Sequence, residues 1–186
     1  MTAMNTLSLG AASSLRIGFI GAGRLGQALA WSLAQSGLKV VAVHSLVEAH
    51  AIALAEPIQG CATVSAQAVV DACDLVFVTT PDSVIQNTCD ELVWRHGQAV
   101  VHCSGVTEVD ALATARSHGA CIGGFHPMQT FGDPHAAVSS LPGCTITVEA
   151  EDAGLMRVLL EMTQGLGCVA NQLPAGMRGR YHAAAG

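Results

Sequence analysis

The stretch Leu15-Arg16-Ile17-Gly18-Phe19-Ile20-Gly21-Ala22-Gly23-Arg24-Leu25-Gly26 sets an apolar strand directly before a G-x-G-x-x-G run that opens a helical pattern. In that context each glycine has its own mechanical role. Gly21 makes a tight turn, Gly23 admits a pyrophosphate close to the backbone, and Gly26 lets helix and strand pack closely. The helix N-terminus behind them offers unpaired N–H groups and a positive dipole end to phosphate. Gly21, Ala22, Gly23, Arg24, Leu25 and Gly26 therefore form a candidate dinucleotide-binding turn. A glycine-rich strand-to-helix turn without a ligand is the alternative.

Cofactor choice turns on the end of the second strand, where an acid about 20 residues beyond the glycines would bind the ribose 2′-OH of NAD. The chain has Val43-His44-Ser45-Leu46 there. Without a carboxylate nothing repels a 2′-phosphate, and His44 and Ser45 could both donate to one, so NADP is expected over NAD. No arginine stands at this turn, which leaves NAD possible. A solvent-facing loop histidine is the other reading of His44. At the next strand end, Val78-Thr79-Thr80-Pro81-Asp82, Thr80 and Pro81 are placed to border the nicotinamide ribose, and Asp82 is expected to cap the following helix.

Two further strand ends meet the same edge, Val101-His102-Cys103-Ser104-Gly105 and Gly123-Gly124-Phe125-His126-Pro127-Met128. An imidazole is the side chain best matched to moving the proton that accompanies hydride transfer near neutral pH. His126, its backbone restricted by Pro127, is the candidate acid/base, and Ser104 is a hydroxyl that orients substrate. A hydrogen-bonded structural histidine is the competing reading of His126, and for His102 it is the preferred one. Other chemistries lack their residues. Lys39 is the only lysine and begins a strand, so Schiff-base chemistry has no candidate, and neither a Walker-type loop nor G-x-S-x-G occurs. His102, Cys103, His126 and His135 have no metal-ligand spacing, and no metal is expected.

The elements that must position these residues read as alternating strands and helices. Apolar runs at 15–20, 40–44, 61–64, 75–80, 99–102, 120–125 and 144–148 suit strands buried on both faces. Between them, 25–36, 48–56, 66–72, 83–94 and 108–118 suit helices, with Gly37, Gly97 and Gly119 as left-handed caps. A helix over 152–166 and a short strand over 168–173 follow. This order predicts an α/β fold, a doubly wound, mostly parallel sheet with helices on both faces. The expected domains are an N-terminal tail over 1–14, a dinucleotide-binding domain over 15–172, and over 173–186 a hinge and the stub of a truncated helical domain, begun at Tyr181 and Ala183 to Ala185.

Composition bounds the partners. The 186 residues are 51% hydrophobic and 12% charged with a formal charge of −6, which excludes disorder as the main state and argues against nucleic acid. No apolar run reaches membrane-spanning length, and the N-terminus lacks the basic and apolar segments of a signal peptide, so a cytoplasmic location without membrane contact is expected. The seven cysteines form no CxxC pair and read as reduced, structural thiols.

The combination of GFIGAGRLG, TTPDSVI, VVHCSG, GGFHPMQTF and YHAAA resembles bacterial two-domain proteins with a Rossmann-like N-terminal domain and a helical C-terminal domain of uncharacterised function, labelled NADP- or deazaflavin-dependent oxidoreductases. The layout is more distantly similar to prephenate dehydrogenase and the 6-phosphogluconate, hydroxyacid and pyrroline-carboxylate reductase group. In prephenate dehydrogenases a serine after the fifth strand and a histidine in a similar His-Pro-Met loop serve substrate and catalysis, which by resemblance supports Ser104 and His126. Members continue past YHAAA into a helical bundle, and homodimerisation is expected only where that bundle is present. The resulting expectation is an oxidoreductase moving hydride to or from a small hydroxy, keto or imine substrate. A dinucleotide-binding module without turnover, a redox sensor or an incomplete fragment, is the alternative.

Overall fold

The computed structural model describes residues 9–180. The expectations for residues 1–8 and for Tyr181 and Ala183 to Ala185 lie outside the described residues. Along the chain run β1 (Arg16–Ile20), α1 (Arg24–Gln35), β2 (Lys39–His44), α2 (Glu48–Ala55), β3 (Ala62–Thr63), α3 (Ala66–Ala72), β4 (Leu75–Val78), α4 (Ile85–Asp90) and β5 (Ala99–His102). They are followed by α5 (Ala113–Ser117), β6 (Cys121–Pro127), α6 (Pro134–Ser140), β7 (Thr145–Ala150), α7 (Ala153–Gly165) and β8 (Val169–Gln172).

The strands form one sheet in the order β3-β2-β1-β4-β5-β6-β7-β8. Every pairing is parallel except β6 with β7. Because side chains alternate across a strand, the central runs feed two cores. Ile17, Phe19, Leu75, Phe77 and Val101 face one, with Leu29 and Leu33 of α1 and Leu155 and Leu159 of α7. Ile20, Val76, Val78 and Val100 face the other, with Val69 and Val70 of α3 and Ile85 of α4. Phe77 links the aromatic part of the first core, stacking on Phe19 at 5.1 Å and meeting Phe125 edge-on at 5.6 Å. Such aromatic pairs contribute about 0.5–1.5 kcal/mol beyond their buried area. The chain reverses its direction of travel across the sheet between β1 and β4, which opens a crevice at their carboxyl ends.

Several expected elements change shape. The stretch expected as one helix over 83–94 is a 3-10 turn at Asp82–Val84 followed by the shorter α4. Leu92 and Trp94 are buried while Val93 between them is 68% exposed, a two-residue alternation that only extended chain satisfies. Asp82 makes no side-chain cap bond, which corrects its expected N-cap role. The stretch 108–118 winds as a 3-10 segment at Val109–Leu112 before α5. Helix α6 was not expected; Asp133 caps it by accepting the Ala136 N–H at 2.8 Å, and Pro134 sits in its first turn. The edge strand β3 is exposed rather than buried on both faces, and β8, the short strand expected at 168–173, is largely exposed as well. Residues before β1 pack as well: Leu9 and Ala12 are buried, and the Arg157 guanidinium on α7 donates to the Leu9 carbonyl at 2.6 Å.

Candidate functional site

The glycine turn is built from three different backbone requirements. Gly21 has φ +102°, a conformation that disfavours any Cβ, and a Cβ there would lie 2.7 Å from the Thr79 carbonyl carbon. A Cβ on Gly26 would come within 2.6 Å of the Gly21 oxygen, so the first turn of α1 rests directly on the loop. Over Gly23, by contrast, nothing lies within 4 Å. Gly23 is the N-cap of α1 and offers no side-chain cap bond, so the first N–H groups of the helix have no side-chain acceptor there.

The loop is held by its neighbours on the sheet. The Gly21 N–H donates to the His44 carbonyl at 2.8 Å, tying it to β2, and the Thr79 hydroxyl donates to the Gly21 carbonyl at 2.6 Å, tying it to β4. Thr79 was not picked out from the sequence, although its place in the Thr-Thr pair ending β4 was the available signal.

A cleft of about 430 Å3 lies over this turn and is bordered by Gly21 through Leu25, Ser45, Thr80, Pro81, Cys103 and Ser104. A second, of about 330 Å3, continues past His44, Ser45, Thr80 and Pro81 toward Asn87 and Leu92. All the expected cofactor residues except Gly26, which sits beneath the loop, border one cleft or both. The Thr80 hydroxyl between them is buried with no hydrogen-bond partner among the described residues. Leu46, 97% exposed, overhangs both clefts and was also missed, since an exposed leucine carries no signal until its position is known.

The hydrogen-bond pattern assigns distinct capacities at the end of β2. His44 Nδ1 lies 3.0 Å from the Val64 carbonyl, which can only accept, so Nδ1 carries the proton and Nε2 can donate only when the ring is doubly protonated. Ser45 accepts the Val47 N–H at 3.3 Å and keeps its own O–H to give. Arg24 borders the same cleft as Ser45 and forms no ion pair among the described residues. The glycine loop thus brings a positive charge to the cleft that the β2 turn also borders.

Ser104 reaches the rim of the larger cleft, but its hydroxyl serves a turn: it accepts the Thr107 N–H and donates to the Thr107 hydroxyl, both at 2.9 Å. His126 lies one strand further on and borders neither cleft. Its Nδ1 is 2.9 Å from the Cys103 carbonyl, which brings His126 and Ser104 to adjacent peptide units. By the same logic Nδ1 holds the proton. His102 is fully buried, its Nδ1 accepting the Ser104 N–H at 3.2 Å, and burial together with the Arg178 charge lowers its pKa to about 3. It is buried and neutral near pH 7.

Behind these groups lies a feature absent from the sequence reading. Arg178 is wholly buried; its Nε–H donates to Glu149 on β7 at 2.6 Å and its Nη1–H to the Ser104 carbonyl at 2.8 Å. Burial raises the Glu149 pKa, against the opposing pull of Arg178. The paired glycines of β6 explain themselves here. A Cβ on Gly124 would sit 1.7 Å from Arg178 Nη2, and one on Gly123 would be 2.6 Å from the Glu149 carbonyl oxygen. A separate cleft of about 750 Å3 lies at the opposite end of β2 beside Lys39 and holds none of the expected site residues.

In comparison with known proteins, residues 16–105, just under half of the chain, match the model of a family described as NADP oxidoreductase, coenzyme F420-dependent. No curated protein sequence matches the chain. Among solved structures, a Bacteroides fragilis protein described as an NADP oxidoreductase superposes with TM-score 0.77 at 23% identity, over 94% of this chain and 66% of its own. Mycobacterium tuberculosis 3-hydroxyisobutyrate dehydrogenase with L-serine gives TM-score 0.74 at 19% identity, over 92% of this chain and 58% of its own. An Aspergillus terreus reductive aminase in complex with NADPH and ethyl-5-oxohexanoate gives 0.70 at 18% identity, over 92% of this chain and 60% of its own. These likenesses establish the doubly wound fold. The chain spans 58% to 66% of the length of these three structures.

Proposed function

We propose that the NADP-oxidoreductase-type segment at residues 16–105 makes this chain the dinucleotide-binding part of an NAD(P)-dependent oxidoreductase, NADP-preferring, acting on a small hydroxy, keto or imine substrate. The observation that carries the reading is the space over Gly23, open on the cleft side while its neighbours Gly21 and Gly26 are packed shut. The complexes of similar fold support the substrate class: one holds NADPH with a keto ester, another L-serine on a hydroxyacid dehydrogenase.

Bound at this turn, the nicotinamide dinucleotide would supply or accept the hydride. The chain's own residues hold and orient it. The N–H groups of Gly23 through Leu25 and the Arg24 guanidinium neutralise phosphate charge. The Ser45 O–H donates to a 2′-phosphate, His44 adding a bond when doubly protonated, and Thr80 and Pro81 border the nicotinamide ribose. His126 holds or releases the substrate proton at Nε2, with Nδ1 fixed on the Cys103 carbonyl. Ser104 acts as a positioning residue that keeps the adjoining turn in shape, since its hydroxyl is committed to Thr107.

The test is turnover and dinucleotide affinity of a catalytically active form carrying His126→Ala. Turnover falls about 10²- to 10⁴-fold, the usual contribution of a positioned acid/base, while NADPH affinity stays within about twofold. Unchanged turnover per folded molecule would assign His126 to structure alone.

A further inference from the structure

Cys144 and Cys168 stand apart from the other thiols. They immediately precede β7 and β8, whose first residues, Thr145 and Val169, are register partners in a parallel ladder, so the two cysteines are opposed across the same pair of strands. Neighbouring strands run about 4.8 Å apart, within the Cα separation that a disulfide spans. Their Sγ atoms already lie 3.8 Å from each other. Each follows a glycine of positive φ, Gly143 at +87° and Gly167 at +69°, and the Gly143 N–H donates to the Gly167 carbonyl at 2.8 Å, which holds the two turns side by side. Both cysteines are partly exposed, whereas Cys73, Cys89, Cys103 and Cys121 are buried. The Cys168 thiol donates to the Leu141 carbonyl at 3.1 Å, and Leu141 lines an open cleft of about 210 Å3 with Pro142 and Leu166. Both thiols are only partly buried, which leaves the pair open to a small reagent.

We propose that Cys144 and Cys168 form a redox modification site, a dithiol that low-molecular-weight disulfides convert to an intramolecular disulfide clamping β8 to β7. In the first step the Cys144 sulfur attacks one sulfur of the reagent, giving a mixed disulfide and releasing one small thiol. In the second the Cys168 sulfur attacks Cys144, forming the Cys144–Cys168 bond and releasing the second small thiol. Two protein S–H bonds are lost, their protons end on the two released thiols, and the reagent is reduced by the two electrons the protein gives up. Burial raises the pKa of both thiols, and their mutual contact eases Cys144 while holding Cys168 up at about 12. Cys144 is therefore the first to reach the thiolate. Thiols of high pKa attack slowly but are also poor leaving groups, so the clamp closes slowly and, once closed, resists reopening.

The consequence concerns the segment that β8 leads into. Leu173 continues the ladder, its N–H donating to the Val148 carbonyl at 3.0 Å, and five residues later Arg178 enters the core beside the candidate site. A clamp at the start of β8 holds that edge strand in register at its exposed end.

The experiment uses the full chain incubated with glutathione disulfide at mildly alkaline pH, then unfolded, alkylated with N-ethylmaleimide and mapped by peptide mass analysis. The expected result is loss of two of the seven alkylatable thiols, a peptide joining Cys144 to Cys168, full reversal by dithiothreitol, and a higher melting temperature for the oxidised form. In Cys144→Ser the linked peptide disappears. Retention of all seven thiols under conditions that oxidise a free dithiol peptide overturns the proposal. So does a stable glutathione adduct on Cys144 with Cys168 still alkylatable, or a crosslink that uses any other cysteine.

Discussion

Gly23→Val separates binding from folding. A side chain there meets no protein atom, yet it fills the gap that phosphate needs, so the melting temperature holds while dinucleotide affinity falls at least about 100-fold, some 2.7 kcal/mol, in a fluorescence titration. Gly21→Ala and Gly26→Ala behave differently, because their Cβ atoms strike the Thr79 backbone and the Gly21 carbonyl and lower the melting temperature as well. The turn at Gly21 and the close packing at Gly26 were legible in the sequence because each is set by a few neighbouring residues. His102 gives a second prediction at this scale. Its pKa is lowered in the fold, from 6.5 to about 3, so between those values the unfolded chain binds the proton that the folded chain refuses. Stability contributed by the neutral ring is present above pH 6.5 and is lost as pH falls, by about 2 kcal/mol at pH 5. His102→Gln removes that component; denaturant unfolding at pH 7 and pH 5 should show a smaller acid loss in the variant than in the parent, and equal losses would sink the assignment.

At the scale of elements, the ladder of strands and most helices followed from apolar runs and glycine stops, whereas the polar tie between elements did not. Arg178 meets Glu149 and the Ser104 carbonyl, 29 and 74 residues away in the chain, a pairing that no local pattern announces. Helix α6 escaped for another reason: it is short, and its local signal, Asp133 followed by Pro134, begins turns as readily as helices. The buried pair yields a cycle of variants. Arg178→Ala strands the Glu149 carboxylate and costs about 3–5 kcal/mol. Gly124→Ala is comparably damaging, because its Cβ occupies the place of the guanidinium. In the Arg178→Ala background the same Gly124→Ala change should cost almost nothing, since the clash has gone with its partner. Additive costs in denaturant melts would mean that Gly124 answers to something other than Arg178.

For the whole molecule, the sheet places every expected cofactor residue at the carboxyl edge of β1, β2 and β4, and ligand binding there must stabilise the fold that creates it. At a dinucleotide concentration of about 100 times Kd the linkage amounts to about 2.7 kcal/mol. For a domain of this length each kcal/mol moves the melting temperature by roughly 2–4 °C, so saturating NADPH should raise it by roughly 5–10 °C. On the proposed NADP preference NADH should raise it less at equal concentration, because a 2′-phosphate would meet Ser45 and Arg24, which line the same cleft. Ser45→Ala tests that difference. It deletes one hydrogen bond to a charged group, about 1.5–3 kcal/mol, and leaves the NADH contacts in place. The NADPH shift should fall toward that of NADH, while the NADH shift and the melting temperature of the unliganded chain stay where they were. Equal shifts for the two dinucleotides in the parent chain would show that the β2 turn does not read the 2′ position, and the preference for NADP would have to be given up.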